Sequence, residues 1–200
     1  MPEALLPVLL LGDRPAFVAD PRAVVRDASA PWPAQPILPL AAWLEQNVEK
    51  QSVAVHVAGV WLAPSDDLRA LVSRLTPEQP AGEKNARGAA AAASFLIALD
   101  FPKLGDGRAY SLATLLRTRF QYRGELRAIG EVPIDQLHFM RRVGFDSAQL
   151  RAEWSTSAQL PVIERALAAF SDAYQGAVDQ PQPAYRRHLR PAASGRTEAS

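Results

Sequence analysis

The chain has 200 residues, with 22 lysine and arginine residues against 21 aspartate and glutamate residues, a formal net charge of +1 and 48% hydrophobic residues. This length and balance are typical of a globular protein with one domain or a small pair of domains, and the near-neutral charge argues against nucleic-acid binding. The chain contains no cysteine, which excludes a disulfide framework, a thiolate zinc site, a cysteine-ligated iron–sulfur cluster and a cysteine nucleophile.

The N-terminal residues 5–39 predict a short β-hairpin followed by a proline-rich lead-in. Two short extended runs in residues 5–18 flank turn residues at 12–15. Eight of the 17 prolines lie in positions 2–39, and they keep this segment irregular and extended. The apolar run 4–11 is far shorter than the roughly 20 residues that a bilayer span needs. We therefore expect no membrane association and a cytoplasmic location.

Helical and strand patterns alternate in the next part of the chain. Residues 40–50 have apolar side chains at helical spacing and predict a short amphipathic helix. Alternating valines at 53–57 predict a half-buried strand, which continues or breaks at Gly59, and a helix is expected over 65–75. Residues 76–94 contain no large apolar residue, so they predict a flexible insertion.

The middle of the chain has the clearest pattern. The continuous apolar run 95–101 predicts a strand that is covered on both faces. A loop follows, and Ser111 is expected to cap the next helix. Residues 125–130 predict a second strand, and a further helix is expected between Pro133 and Gly144.

The rest of the chain adds a weaker strand at 145–150 and a last helix that begins at Pro161. This alternation predicts an α/β fold with about four βα units and a small parallel sheet. Four units are too few for a complete eight-fold barrel, which leaves a half-barrel or a small open doubly wound sheet. Residues 1–178 are expected to form one domain, and residues 179–200 a disordered basic tail.

Ligands of parallel α/β proteins bind beyond the carboxyl ends of the strands, and the loop after the first central strand is the richest in polar groups. Asp106, Gly107, Arg108 and Ser111 surround a predicted helix N-terminus, where an anion such as phosphate, sulfate or carboxylate is favoured. The alternative interpretation is structural, with Asp106 and Gly107 as a turn and Ser111 as a cap.

Arg127 lies inside a predicted strand, so burial would require a partner such as Glu125 or Asp135. Convergence of Arg108, Arg127 and Asp135 in one pocket would favour an anion site, whereas dispersal would favour a docking protein.

No histidine has a second ligand at metal-binding spacing, so no metal site is expected. The dinucleotide and phosphate-loop motifs are missing too, which leaves an unfamiliar organic cofactor open.

Six short motifs follow one another in order: Phe-Pro at 101–102, Asp-Gly-Arg-x-Tyr-Ser at 106–111, Leu-Leu-Arg at 115–117, Gly-Glu-Leu-Arg-Ala at 124–128, Asp-Gln at 135–136 and Gly-Phe-Asp at 144–146. With these motifs the chain resembles a bacterial family of unknown function, catalogued as domain of unknown function 934. Besides the candidate site residues, the resemblance marks four positions, Tyr110, Arg117, Glu125 and Gln136.

The resemblance implies little about mechanism. Members of that family are commonly encoded beside sulfite reductase genes, and some carry the label oxidoreductase. This implies an accessory factor or oxidoreductase in sulfite reduction, with sulfite reductase or its electron donor as partner. Because the chain has no cysteine, a redox role would need a bound organic cofactor. The alternatives are an enzyme that binds a small anion at the 106–111 loop, and a structural subunit that forms a homodimer.

Overall fold

The computed structural model describes residues 6–45, 57–75, 95–169 and 174–187. These residues form a mixed α/β fold built on one eight-stranded sheet that curls into a half-barrel. The strands are β1 (Val8–Leu10), β2 (Ala16–Val18), β3 (Ala23–Val24), β4 (Pro36–Pro39), β5 (Gly59–Leu62), β6 (Leu96–Phe101), β7 (Leu126–Gly130) and β8 (Ser147–Ala148). The helices are α1 (Leu40–Glu45), α2 (Leu68–Leu75), α3 (Arg108–Thr118), α4 (Leu137–Val143), α5 (Leu160–Ala168) and α6 (Ala184–Arg187).

The strands follow the spatial order β2-β1-β8-β7-β6-β5-β4-β3. Neighbouring strands from β3 to β8 are parallel, whereas β1 pairs antiparallel with β8 and with β2. The hairpin of β1 and β2 confirms the predicted N-terminal hairpin. From β3 to β8 the chain adds each strand on the same side, and a doubly wound sheet would require this order to reverse. The half-barrel is therefore confirmed, and the doubly wound alternative is wrong. The strand β4 and the helix α1 form a further βα unit, which precedes the four that the sequence predicts.

The helices pack on the outer face of the half-barrel. Alternate residues of the central strands, such as Leu99 of β6 and Ala128 of β7, share one hydrophobic core with the buried stripes of α2, α3, α4 and α5. All six residues of β6 are buried, which confirms the prediction of a strand covered on both faces. Within the described ranges, no helix has the length and apolar character needed to span a bilayer.

Residues 20–35, which we call the covering segment, include the edge strand β3 and contact the inner face of the half-barrel. Register pairs Ala98 with Arg127 and Asp100 with Ile129, so these four side chains share the inner face. A small apolar cluster of this face includes Leu96, Ala98 and Ile129. The covering segment supplies the polar partners of the same face, because its side chains form ion pairs with Asp100 and Arg127.

Several predicted segments fall partly or wholly outside the described residues. The predicted insertion 76–94 lies outside them, as does most of the valine strand, whose described continuation is β5. Residues 179–187 of the predicted tail are part of the described structure, and they include α6. They follow Val178, whose backbone N–H donates to the carbonyl of Arg142 at 3.0 Å. Residues 188–200 lie outside it.

Candidate functional site

The loop between β6 and α3 holds the first group of predicted site residues. Helix α3 begins at Arg108, with Gly107 before it. The Asp106 carboxylate accepts hydrogen bonds from the Arg108 backbone N–H at 3.2 Å and from its guanidinium at 3.0 and 2.7 Å. These bonds lower the pKa of Asp106 to about 2. An anion at this helix N-terminus would therefore compete with a carboxylate that is already bound there.

Ser111 does not cap α3. It is exposed and lies inside the first turn, three residues after the helix begins at Arg108. The expectation that Ser111 is the cap is wrong, because Asp106 already accepts the first free backbone N–H of the helix.

A small cavity of about 190 Å³ lies behind this loop. It brings together the predicted positions Asp106, Gly107, Tyr110 and Gln136 with Glu131. Burial, and secondarily the nearby charge of Asp135, raises the pKa of Tyr110 to about 12, so the phenol stays protonated. The cavity is smaller than the range of about 300–1,000 Å³ that is typical of pockets for small organic ligands.

Arg127 belongs to a separate cluster at the amino ends of the parallel strands, which we call the amino edge of the sheet. The members of this amino-edge cluster are Asp20, Arg22, Glu125, Arg127 and Ser147. The Arg127 side chain is 1% exposed. Its guanidinium donates to Asp20 at 2.5 Å and to Glu125 at 2.7 Å, and Arg22 forms ion pairs with the same two carboxylates at 2.5 and 2.7 Å. The predicted partner Glu125 is present, whereas Asp135 lies near Tyr110 instead.

The charges of the amino-edge cluster balance, and its carboxylates stay ionised. Burial by itself raises the pKa of Asp20, but hydrogen bonds from Arg22 and Arg127 outweigh it and hold that pKa well below its usual range. Burial likewise opposes ionisation of Glu125, and the charge of Arg127 and the Ser147 hydrogen bond lower its pKa. The Ser147 hydroxyl donates to Glu125 at 2.6 Å. The cluster thus anchors the start of the covering segment to β7 and β8.

Arg117 also has a structural position. Its guanidinium donates to the backbone carbonyls of Tyr122 and Gly124 at 2.8 Å and of Gly144 at 2.9 Å. It also donates to Asp146, which accepts the backbone N–H of Leu126 at 2.8 Å. Arg117 therefore ties the end of α3 to the starts of β7 and β8.

A second, larger cavity of about 620 Å³ lies between the covering segment and the carboxyl ends of the parallel strands. We call this end of the sheet the carboxyl edge. Its floor includes Ile129 and Gly130 of β7, and its side includes Gln149, Leu150 and Arg151 beyond β8. The remaining walls come from Leu6 and from the covering segment at Pro21, Ala23, Val24, Val25, Arg26, Asp27, Ala30, Pro31 and Pro33. Most of these side chains are apolar, so the cavity combines apolar walls with a few polar groups.

The Arg26 side chain stands at the wall of this large cavity in a fixed position. Its guanidinium donates to Asp100 at 2.8 Å and lies 4.9 Å from the centre of the Trp61 ring. The Trp61 indole N–H donates to the Val25 carbonyl at 2.9 Å. Gly130 is required beside Asp100, because its φ is +88° and a Cβ there would lie 2.7 Å from a carboxylate oxygen of Asp100.

The structure therefore divides the sequence-predicted residues between two ends of the sheet. Asp106, Gly107, Arg108 and Ser111 lie at the carboxyl edge, near Tyr110, Asp135 and Gln136, whereas Arg117, Glu125 and Arg127 lie toward the amino edge. Arg108, Arg127 and Asp135 do not converge in one pocket.

Sequence reasoning missed Asp20, Arg22, Arg26 and Trp61. Asp100 lies near the carboxyl end of an apolar strand, where the sequence predicts ligand binding in a parallel α/β fold.

Comparisons with known proteins identify the family. No curated protein and no solved structure matches the chain. A family model described as "Bacterial protein of unknown function (DUF934)" matches residues 59–185, from β5 into α6, and so includes both the small cavity and most of the amino-edge cluster. The chain belongs to this bacterial family of unknown function, DUF934.

Proposed function

We propose that the protein binds a small organic molecule in the large cavity. The observation that carries this proposal is the cavity itself, about 620 Å³ in volume and placed at the carboxyl ends of β7 and β8. Half-barrels and barrels of parallel strands hold their ligands at this end, because the loops that follow the strands converge there. The volume falls within the range of about 300–1,000 Å³ that is usual for such ligands.

The walls indicate the character of the ligand. Val24, Pro31, Ile129 and Leu150 present apolar surface to the cavity, so the body of the ligand is apolar. The small cavity at the 106–111 loop is a weaker candidate, because it is small and Asp106 occupies its helix N-terminus. The small-molecule proposal is thus kept from the sequence, but its site is moved to the inner face.

An enzymatic role is part of this proposal. Oxidoreductase activity, which the resemblance implies, would need an organic redox cofactor because the chain has no cysteine. The large cavity has room for part of such a molecule. We propose a cytoplasmic location for this activity.

A pair of alanine-to-tryptophan variants tests the proposal. Ala30 and Ala34 are both exposed in the covering segment, but Ala30 lines the large cavity and Ala34 does not. A thermal-shift screen with carboxylates, phosphates, nicotinamides and flavins should yield a ligand that raises Tm saturably. Ala30→Trp should abolish that shift by filling the cavity, and Ala34→Trp should retain it. A screen without any stabilising ligand, or a shift that survives in Ala30→Trp, would contradict the proposal.

A second candidate function is an accessory factor that docks on sulfite reductase or its electron donor. Two observations favour it: Arg108, Arg127 and Asp135 do not converge in one pocket, and at the loop after β6 Leu104 is 65% exposed and the Arg108 side chain is 59% exposed. An exposed leucine next to a cation is suited to a protein contact. Co-purification with sulfite reductase should occur with the natural chain and be lost in Leu104→Asp. A chain that leaves purified sulfite reductase unbound would argue against docking on the reductase.

The homodimer remains a third candidate, because β2 and β3 are edge strands of the half-barrel. Unpaired backbone groups at such edges can pair with a second copy. Sedimentation at micromolar concentration should then give a dimer, and a monomer at that concentration would count against it.

A further inference from the structure

The arginine residues of the inner face differ in how many of their donors are engaged. A guanidinium has five N–H donors. Arg22 and Arg127 each use Nε as well as Nη2 on carboxylates of the amino-edge cluster. Among the described residues, Arg26 donates one hydrogen bond, from Nη2 to Asp100. Its remaining donors are available at the wall of the large cavity, where half of the side chain is exposed.

Arg26 is also held in place without a ligand. The Trp61 ring lies against one side of its guanidinium, and Asp100 fixes one end. Both partners are themselves constrained, because Trp61 donates to the Val25 carbonyl and Asp100 is 7% exposed in β6. Such preorganisation lowers the entropy lost when a planar anion binds.

The other charged groups that line the cavity are less suited to an anion. Asp27 is itself an anion, and it accepts hydrogen bonds from the backbone N–H and the hydroxyl of Ser29, at 2.9 and 2.6 Å. Arg151 has two carboxylates near its guanidinium, Glu153 at 3.2 Å and Glu131 at 3.9 Å, which offset its charge. Arg26 differs from Arg151 in having one carboxylate partner and in being held against the Trp61 ring.

From these contacts we infer that Arg26 is the anion-recognition group of the large cavity, and that the ligand carries a carboxylate, sulfonate or phosphate group beside its apolar body. This inference rests on the proposed function and adds the chemical class of the ligand. The ligand anion takes the open donors of Arg26, while Asp100 and Trp61 keep the guanidinium in position. The apolar walls at Ile129 and Leu150 contact the apolar body of the ligand.

Two fluorescent probes that differ by one anionic group test the inference. The first is 1-anilinonaphthalene-8-sulfonate, and the second is N-phenyl-1-naphthylamine, which has the same aromatic skeleton without the sulfonate. In the natural chain both probes should bind with one-to-one stoichiometry, and both should be lost in Ala30→Trp. Arg26→Gln should raise the Kd of the sulfonate probe about 10-fold to 100-fold, as expected for a hydrogen-bonded charge pair. The Kd of the neutral probe should change less than about twofold.

The control variant is Arg151→Gln, which removes a cation from the same cavity. It should weaken the sulfonate probe less than about threefold, because Arg151 already has two carboxylate neighbours. Arg26→Lys keeps the charge but loses the planar fork, and should give an intermediate Kd for the sulfonate probe. The inference is overturned if Arg26→Gln weakens both probes equally or neither of them, although the cavity would still be a binding site. If neither probe binds, or if both survive in Ala30→Trp, the proposed function fails together with it.

Discussion

The two ends of the sheet are built differently although both carry arginine–carboxylate pairs. At the amino edge, Arg127 is almost fully buried, and it shares two carboxylates with Arg22. At the carboxyl edge, Arg26 and Arg108 have one carboxylate partner each and side chains that are at least half exposed. The first arrangement is buried and balanced in charge, which suits it to holding the fold, whereas the second is exposed and leaves donors of Arg26 without a partner.

This difference gives a physical meaning to the motif positions of the family. Arg117, Glu125 and Arg127 make contacts within the protein that a random surface charge would not make. Tyr110 and Gln136 instead line a cavity at the carboxyl edge. A motif can therefore combine residues that maintain the sheet with residues that line a cavity at the carboxyl ends of its strands.

The largest effect is expected at Arg127. Arg127→Met would leave the buried carboxylate of Asp20 and the partly buried carboxylate of Glu125 short of a partner, and breaking a buried pair in this way costs about 3–5 kcal/mol. Urea unfolding should show this loss in the free energy of unfolding. Arg123→Met, an exposed arginine shortly before the same strand, should cost less than about 0.5 kcal/mol. Equal losses in the two variants would show that the amino-edge cluster has no special role in stability.

A smaller but clear effect is expected at Arg117. Arg117→Met removes hydrogen bonds to three backbone carbonyls, and we expect a loss of about 2–3 kcal/mol from the unsatisfied groups. The same denaturation measurement applies. Arg119→Met at the end of α3 is the matched control, because Arg119 is exposed and should tolerate the change. If Arg117→Met unfolds at the same urea concentration as the control, the carbonyl contacts do not stabilise the fold.

The carboxylate partners of Arg127 also show how far the sequence predicts the structure. Glu125 could be named as the partner of Arg127 because residues two apart in a strand share a face. Asp20 could not, because 107 residues separate it from Arg127 and no local pattern marks such a contact. The strands β6 and β7 were predictable from apolar runs, and the end of α4 from Gly144, whose φ is +103°.

Most of the walls of the large cavity lay beyond sequence reasoning for a related reason. The proline-rich lead-in predicts irregular structure, but its path across the inner face depends on Asp20, Arg22 and Arg26 meeting strands far away in the chain. The loop after β6, by contrast, was predictable as polar, although the competition between Asp106 and an anion for the helix N-terminus was not.

The pH dependence of stability should separate the two edges further. The pKa of Asp20 in the folded protein lies below its unfolded value of about 3.9. Its ionised form therefore contributes stability that is present above that value and is lost as the pH falls through the acid range toward the folded pKa. In Asp20→Asn the free energy of unfolding should fall less steeply from pH 5 to pH 3 than in the natural chain. A variant with an unchanged acid slope would mean that Asp20 is not coupled to folding.

Asp106 gives the comparison for this measurement. Its pKa is also lowered, to about 2, by the hydrogen bonds from Arg108, so the sign of its contribution is the same. Arg108, however, is exposed to solvent, which screens the pair. Asp106→Asn should therefore reduce the fall in the free energy of unfolding from pH 5 to pH 3 less than Asp20→Asn does. The reverse order would contradict the claim that the ion pairs of the amino edge are the ones that stabilise the fold.

The smallest effect is expected at Arg108, where we expect a loss of stability well below that at Arg117. Arg108→Met removes an ion pair whose arginine is exposed, although the Asp106 carboxylate is not, and it keeps the backbone N–H that donates to Asp106. The Tm should fall by less than in Arg117→Met, at low and at high salt. A loss as large as that of Arg117→Met would show that the motif at 106–108 maintains the fold. The contrast between a structural amino edge and a carboxyl edge that is open to ligands would then fail at this loop.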